Sequence, residues 1–211
     1  MRNNLFPVAK EGWKFIAYSA LGFAIFTIFD IDFLQIVSFF LILFFAAIYR
    51  NPERLTPMFQ DNSVVSPVDG IVVSIEELDD KEYAYKIEID STYLDVAVLR
   101  SPLTSSIENI DLKKGSRLSK SNTLFDKLNE YCEIIFQDKK SRTVKVVHRL
   151  KQSFDSIHIN ASSTQNILQG SRYGVMLNGT TSISLPRNFR VNVNVGNELR
   201  ASETLIGYFS K

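Results

Sequence analysis

Four consecutive residues, Asn178-Gly179-Thr180-Thr181, hold the arrangement that most directly suggests covalent chemistry. A hydroxyl residue that follows glycine can attack the preceding carbonyl, which glycine leaves unshielded and conformationally free. That attack breaks the backbone between Gly179 and Thr180. The same residues also fit a plain β-hairpin. Asn-Gly is a strong two-residue hairpin signal, and apolar strand-like stretches at 173–177 and 182–185 flank it. The residues alone leave both readings open.

Other chemistry is sparse. The two histidines, His148 and His158, sit in ordinary strand-like contexts that suit a structural or surface role. No metal-ligand spacing, P-loop, Gly-x-Gly-x-x-Gly or Gly-x-Ser-x-Gly element occurs, so no metal is expected. Cys132 is the sole cysteine, which excludes an internal disulfide and reads as a neutral or buried thiol in a reducing compartment. Lys and Arg total 24 against 23 Asp and Glu. This balance gives no indication of a nucleic-acid partner.

The elements that must position these residues divide into two parts. Two apolar runs at 15–29 and 33–49 are joined by Asp30-Ile31-Asp32. The second run, FLQIVSFFLILFFAAIY, has only Gln35 and Ser38 as polar interruptions, so a helix there is apolar on every face. Each run is close to the lower limit for crossing a bilayer, which needs about 20 apolar residues. Arg2, Lys10 and Lys14 precede the pair, and Arg50 and Arg54 follow it. By the positive-inside bias both ends face the cytoplasm. The expectation is a membrane hairpin over 1–54, with helices at about 13–29 and 33–49, carrying a cytoplasmic domain over 55–211 at the inner membrane.

Past Arg54 the pattern changes to short strands. Apolar and polar residues alternate at 85–89, 143–147 and 190–195, and Asp-Gly, Lys-Gly, Gln-Gly, Asn-Gly and Gly-Asn pairs mark turns. Only 123–131 looks briefly helical. The spacing predicts a mainly β fold, a compact sandwich or barrel.

Five stretches, in order, carry a resemblance: PVAKEGWKFI at 7–16, YRNPER at 49–54 followed by Pro57, VSPVDGIV at 65–72, GSRYGVMLNGTTSISLP at 170–186, and VGNELRASETLIG at 195–207. Together they resemble the short, membrane-anchored branch of the phosphatidylserine decarboxylases, and the last resembles a biotinyl/lipoyl-type hairpin. Members of that family cut themselves before a serine and convert it to a pyruvoyl group. This group captures the amine of phosphatidylserine and acts as an electron sink for loss of carbon dioxide, giving phosphatidylethanolamine.

The resemblance implies catalytic roles for Asp69 and Thr180, with cleavage between Gly179 and Thr180. It also implies departures. Thr180 stands for the family's serine, so the self-derived group would be 2-oxobutanoyl. Ala97, in DVAVLRSP at 95–102, stands for the family's histidine. A methyl group cannot move protons as an imidazole does. Tyr131 replaces an arginine after Asn129-Glu130, and His148-Arg149-Leu150 stands where the family is apolar or small. Two functions remain: a carboxy-lyase of phospholipid synthesis, or an impaired relative without the cofactor that binds anionic phospholipid or regulates a lipid-synthesis partner. The residues that would bind substrate are not legible.

Overall fold

The computed structural model describes residues 6–55, 57, 59–80 and 82–210. Arg2, counted above as a basic flank, lies outside the described residues. The chain forms two compact units, Met1–Glu53 and Arg54–Lys211.

The first unit is a helical hairpin of α1 (Trp13–Ile28) and α2 (Asp32–Ile48). Small residues let the two helices approach: Ser19 and Ser38 are buried, and Gly22 faces the Ser38 hydroxyl. Phe15 stacks on Phe45 and Tyr49 with ring centroids 5.1 and 5.7 Å apart. Main-chain bonds from Ala9 N–H to Tyr49 O (2.8 Å) and from Asn51 N–H to Pro7 O (2.7 Å) clasp the base. Gly12 passes flat against the Tyr49 ring, where a Cβ would collide.

Many of the apolar side chains on this hairpin are turned outward. Ile28, Phe29, Phe33 and Phe40 are each more than 60% exposed. The helices run for 16 and 17 residues, or about 24 and 26 Å at 1.5 Å per residue, against a hydrocarbon layer of about 30 Å. No helix among the described residues is long and apolar enough to cross a membrane. The expected crossing is not supported, because helices of 16 and 17 residues fall short of the roughly 20 apolar residues that a bilayer requires.

The second unit is built from β1 (Ser63–Val65), β2 (Gly70–Glu77), β3 (Tyr85–Ser91), β4 (Val98–Arg100), β5 (Ser105–Lys113), the single turn α3 (Phe125–Leu128), β6 (Tyr131–Gln137), β7 (Thr143–Leu150), β8 (His158–Ile159), β9 (Asn166–Ile167), β10 (Arg172–Val175), β11 (Gly179–Leu185), β12 (Phe189–Val191), β13 (Glu198–Leu199) and β14 (Leu205–Phe209). All ladders are antiparallel. The largest sheet has the order β13-β2-β3-β11-β7-β6-β5-β9, and two three-stranded sheets run β1-β14-β12 and β4-β10-β8. The fold is mainly β as expected, but no sheet closes into a barrel. The large sheet is an open row whose ends are the two-residue strands β13 and β9.

Alternation explains the core. Along β7, Val144, Val146, His148 and Leu150 point inward and are fully buried. Ile87 and Ile89 of β3, Thr181, Ile183 and Leu185 of β11, and Cys132, Ile134 and Phe136 of β6 do the same. Phe136 and Tyr173 meet at 5.7 Å and help join the three-stranded sheet around β10 to the large one. The expected helix at 123–131 shrinks to α3, since from Tyr131 the alternation of β6 takes over.

Candidate active site

Asn178-Gly179 is not a hairpin turn. The preceding strand β10 pairs with β4 and β8, while β11 lies between β3 and β7 in the large sheet. The dipeptide is therefore a corner where the chain leaves one sheet for another. Asn178 O accepts Lys151 N–H at 3.1 Å. Gly179 then enters β11 under Arg149 O and Met176 Sδ, where any Cβ would collide with the carbonyl. That crowding requires glycine without invoking catalysis.

Gly179 pairs with Ser91 and Leu150, and Thr180 pairs with Asp90 and Arg149. The Gly179–Thr180 bond thus lies at the head of a central strand with a ladder on each side. Thr180 turns outward into a groove of about 420 Å³ that Lys86, Lys145, Arg149, Ser182 and Ser184 also line. Asp90, the neighbour across the ladder, is held by Lys151 Nζ at 2.5 Å. The groove also holds the carboxylates Glu88 and Asp126, each paired with a cation, Glu88 with Lys120 and Asp126 with Arg149 at 2.7 Å.

Asp69 heads β2 and is buried. Its carboxylate receives both Arg54 terminal nitrogens, Nη1 to Oδ1 at 2.5 Å and Nη2 to Oδ2 at 2.6 Å, and Ala201 N–H reaches Oδ1 at 2.8 Å. Burial works against the Arg54 charge, but its hydrogen bond to Asp69 and the carboxylate's charge raise the guanidinium pKa above its ordinary value. Arg54, read above as a flank of the hairpin, is thus a partner of Asp69. The Asp69 main chain meets the cleavage segment only through Ser91, whose hydroxyl donates to Asp69 O at 2.5 Å and whose backbone pairs with Gly179. Two interstrand spacings, about 10 Å, separate the Asp69 and Gly179 backbones.

Ala97 is buried just ahead of β4, and Met176 N–H donates to its carbonyl at 2.8 Å. The position touches the chain that leads into Asn178-Gly179, with a methyl group where a proton-transfer residue would stand. Asn129 and Glu130 brace the sheet instead. The Asn129 amide bridges Leu118 and Leu150, and Glu130 takes Lys114, Arg117 and Ile157 N–H.

One group went unrecognised in the sequence. Thr181 Oγ1 lies 2.8 Å from His148 Nδ1, and His148 Nε2 lies 2.6 Å from Tyr173 Oη. All three residues are fully buried. Burial lowers the His148 pKa to about 3 and raises that of Tyr173 well above its ordinary value, so both are neutral. The alternation at 143–147, continued by one residue, already turned His148 inward, and an inward imidazole demands polar partners. His158, by contrast, is half-buried at the surface, 3.1 Å from Asp155.

A keto-acyl group in place of Thr180 fits this geometry. Thr180 lines the groove but is only 5% exposed, and its same-face neighbour Ser182 is small. Such a group supplies the electron sink for decarboxylation.

Comparison with known proteins places the chain. The family model for phosphatidylserine decarboxylase matches residues 41–207. A phosphatidylserine decarboxylase proenzyme of Geobacter metallireducens is 30% identical over 98% of this chain and 99% of its own length. Proenzymes of the same description from Desulfotalea psychrophila (26% identical, 95% of this chain and 96% of the relative) and Ehrlichia ruminantium (30%, 98% and 92%) are similar along their lengths. With four-fifths of its length matched by the family model, the chain belongs to the phosphatidylserine decarboxylase family.

Proposed function

We propose that the chain is a decarboxylase of phospholipid synthesis that converts phosphatidylserine to phosphatidylethanolamine and carbon dioxide. The keto-acyl group would come from self-cleavage between Gly179 and Thr180, with Asp69 assisting. The observation that carries this reading is the family match over 41–207, which takes in the whole segment from Asp69 to Thr180. Support comes from the groove, where position 180 lines the wall and cations offset the substrate's phosphate. Those cations include Lys86 and Lys145, which flank Ser184 in the ladder.

The apolar hairpin suits a seat in the lipid of the inner membrane, with the β unit on the cytoplasmic side. Many of its phenylalanines and isoleucines, Ile28, Phe29, Phe33 and Phe40 among them, face outward, and an aqueous surface of that kind is costly. Arg50 at its base is placed to meet anionic headgroups.

A second reading is an impaired relative that binds phosphatidylserine without turning it over. Three features favour it: the Ala97 methyl, the commitment of Asp69 to Arg54, and the absence of a hydrogen bond to the Thr180 hydroxyl among the described residues. One experiment separates the readings. The full chain is floated with phosphatidylserine vesicles, then assayed for scission by intact mass and for phosphatidylethanolamine formation, beside Thr180→Ser, Ala97→His and the double variant. Scission and product from the unmutated chain establish the enzyme. Binding with neither, from any variant, establishes the impaired relative. Gain of both in the double variant alone, by about 10²–10⁴, marks a decarboxylase weakened at these two positions.

A further inference from the structure

Position along β11 decides which hydroxyl meets a base. Successive side chains of a strand point to opposite faces, so Thr180 looks into the groove and Thr181 into the core. On the groove side Thr180 faces Asp90 and Arg149 across the ladders, and each is already paired with another charge, Asp90 with Lys151 and Arg149 with Asp126. In the core Thr181 has an imidazole at 2.8 Å, and that imidazole has a phenol at 2.6 Å on its other nitrogen. A nucleophile hydrogen-bonded to a base, with the base oriented by a third group, is the geometry of an activated hydroxyl.

We propose that Thr181 is a self-processing nucleophile of this chain, with His148 as its base and Tyr173 as the positioning residue, so that the backbone breaks between Thr180 and Thr181. This rests on the reading of the chain as self-cleaving, and it moves the cut by one residue from the Gly179–Thr180 bond named above, assigning the hydroxyl and the base.

The chemistry uses the chain and one water. With the Nε2 proton donated to Tyr173 Oη, His148 Nδ1 carries the lone pair that accepts the Thr181 hydroxyl proton. Thr181 Oγ1 bonds to the Thr180 carbonyl carbon. The proton passes from Nδ1 to the Thr181 nitrogen as the C–N bond breaks, leaving an ester. His148, neutral again, removes the Thr181 α-proton, and the Cβ–O bond breaks to release the Thr180 carboxylate. The dehydrated residue takes up one water and loses one ammonia, which leaves a 2-oxobutanoyl cap on Ser182. Scission frees a strand end, and this admits the water to a site otherwise sealed.

Packing alone does not call for these residues. The other inward positions nearby are Val144, Val146, Leu150, Ile183 and Leu185, and replacing both partners of a buried hydrogen bond by apolar groups of like shape is nearly neutral. Burial leaves His148 unprotonated and lowers its basicity, so the hydrogen bond to Thr181 and the Tyr173 partner on the other nitrogen carry the assignment.

The test is intact mass of the purified full chain, with phosphatidylserine turnover measured in the same samples. The expected product is a C-terminal piece beginning at the former Thr181, lighter by ammonia than the hydrolytic fragment. Thr181→Ser keeps the cut. Thr181→Val abolishes it, and His148→Gln slows it by about 10²–10⁴ while thermal unfolding shows the variant still folded. Tyr173→Phe slows it less. A cut before Thr180, an uncut chain, or an unchanged rate in folded His148→Gln overturns the assignment. Turnover accompanying a cut before Thr180 removes this assignment and leaves the decarboxylase reading in place.

Discussion

Two buried polar clusters flank the start of β11, and they solve the same problem differently. At the head of β2, Arg54 and Asp69 are charged and neutralise each other through two parallel hydrogen bonds, with Ala201 N–H as a third donor. Two strands away, Thr181, His148 and Tyr173 are neutral and satisfy one another in a row. The first cluster fixes its carboxylate through three donors. The second holds its imidazole unprotonated by burial, which leaves a nitrogen lone pair facing a hydroxyl but weakens it as a base.

The largest expected effect comes from breaking the charged cluster. Arg54→Ala leaves the Asp69 carboxylate buried without its partner, and loss of one member of such a pair costs about 3–5 kcal/mol. Denaturant unfolding of the full chain measures it. A loss below ~1 kcal/mol would mean that water reaches Asp69, and would remove the contrast with the His148 cluster.

The neutral cluster is sharpened by pH. An unfolded histidine titrates near 6.5, whereas buried His148 titrates at about 3. Between these values the unfolded state binds the proton and the folded state does not. The contribution is constant above pH ~6.5 and is lost as pH falls from there toward 3, at up to about 1.4 kcal/mol per unit. His148→Gln should flatten the fall between pH 6.5 and 4.5, a range that lies above most carboxylate titrations. An unchanged pH slope in that variant would place the imidazole in contact with solvent.

Glu130 provides the smallest and most discriminating case. It is buried like Asp69, but its cation Lys114 is 63% exposed and Arg117 and Ile157 N–H remain as partners. Lys114→Ala should cost less than ~1 kcal/mol in the same denaturant series. A cost equal to that of Arg54→Ala would show that burial of the carboxylate alone governs the loss, and that neither the remaining partners nor the exposure of the lost cation reduces it.

Much of the architecture was legible locally. Continuous apolar runs marked the two helices, and period-two alternation marked β3 and most of β7. These are properties of a few neighbouring residues, so the sequence alone determined them. The corner at Asn178-Gly179 was not legible. A tight turn between paired strands and a passage between sheets need the same residues, and only the pairing of β11 with β3 and β7 distinguishes them. The same holds for Arg54 with Asp69, 15 residues apart, and for His148 with Thr181 and Tyr173, 33 and 25 residues apart. Side-chain direction is set within one strand, but the identity of the facing partner is set by which strands lie side by side. By itself the sequence determined the alternation of the strands on either side of this segment. Only the tertiary structure, by placing Thr180 and Thr181 inside β11 between β3 and β7, turned the first toward the groove and the second toward a neutral imidazole.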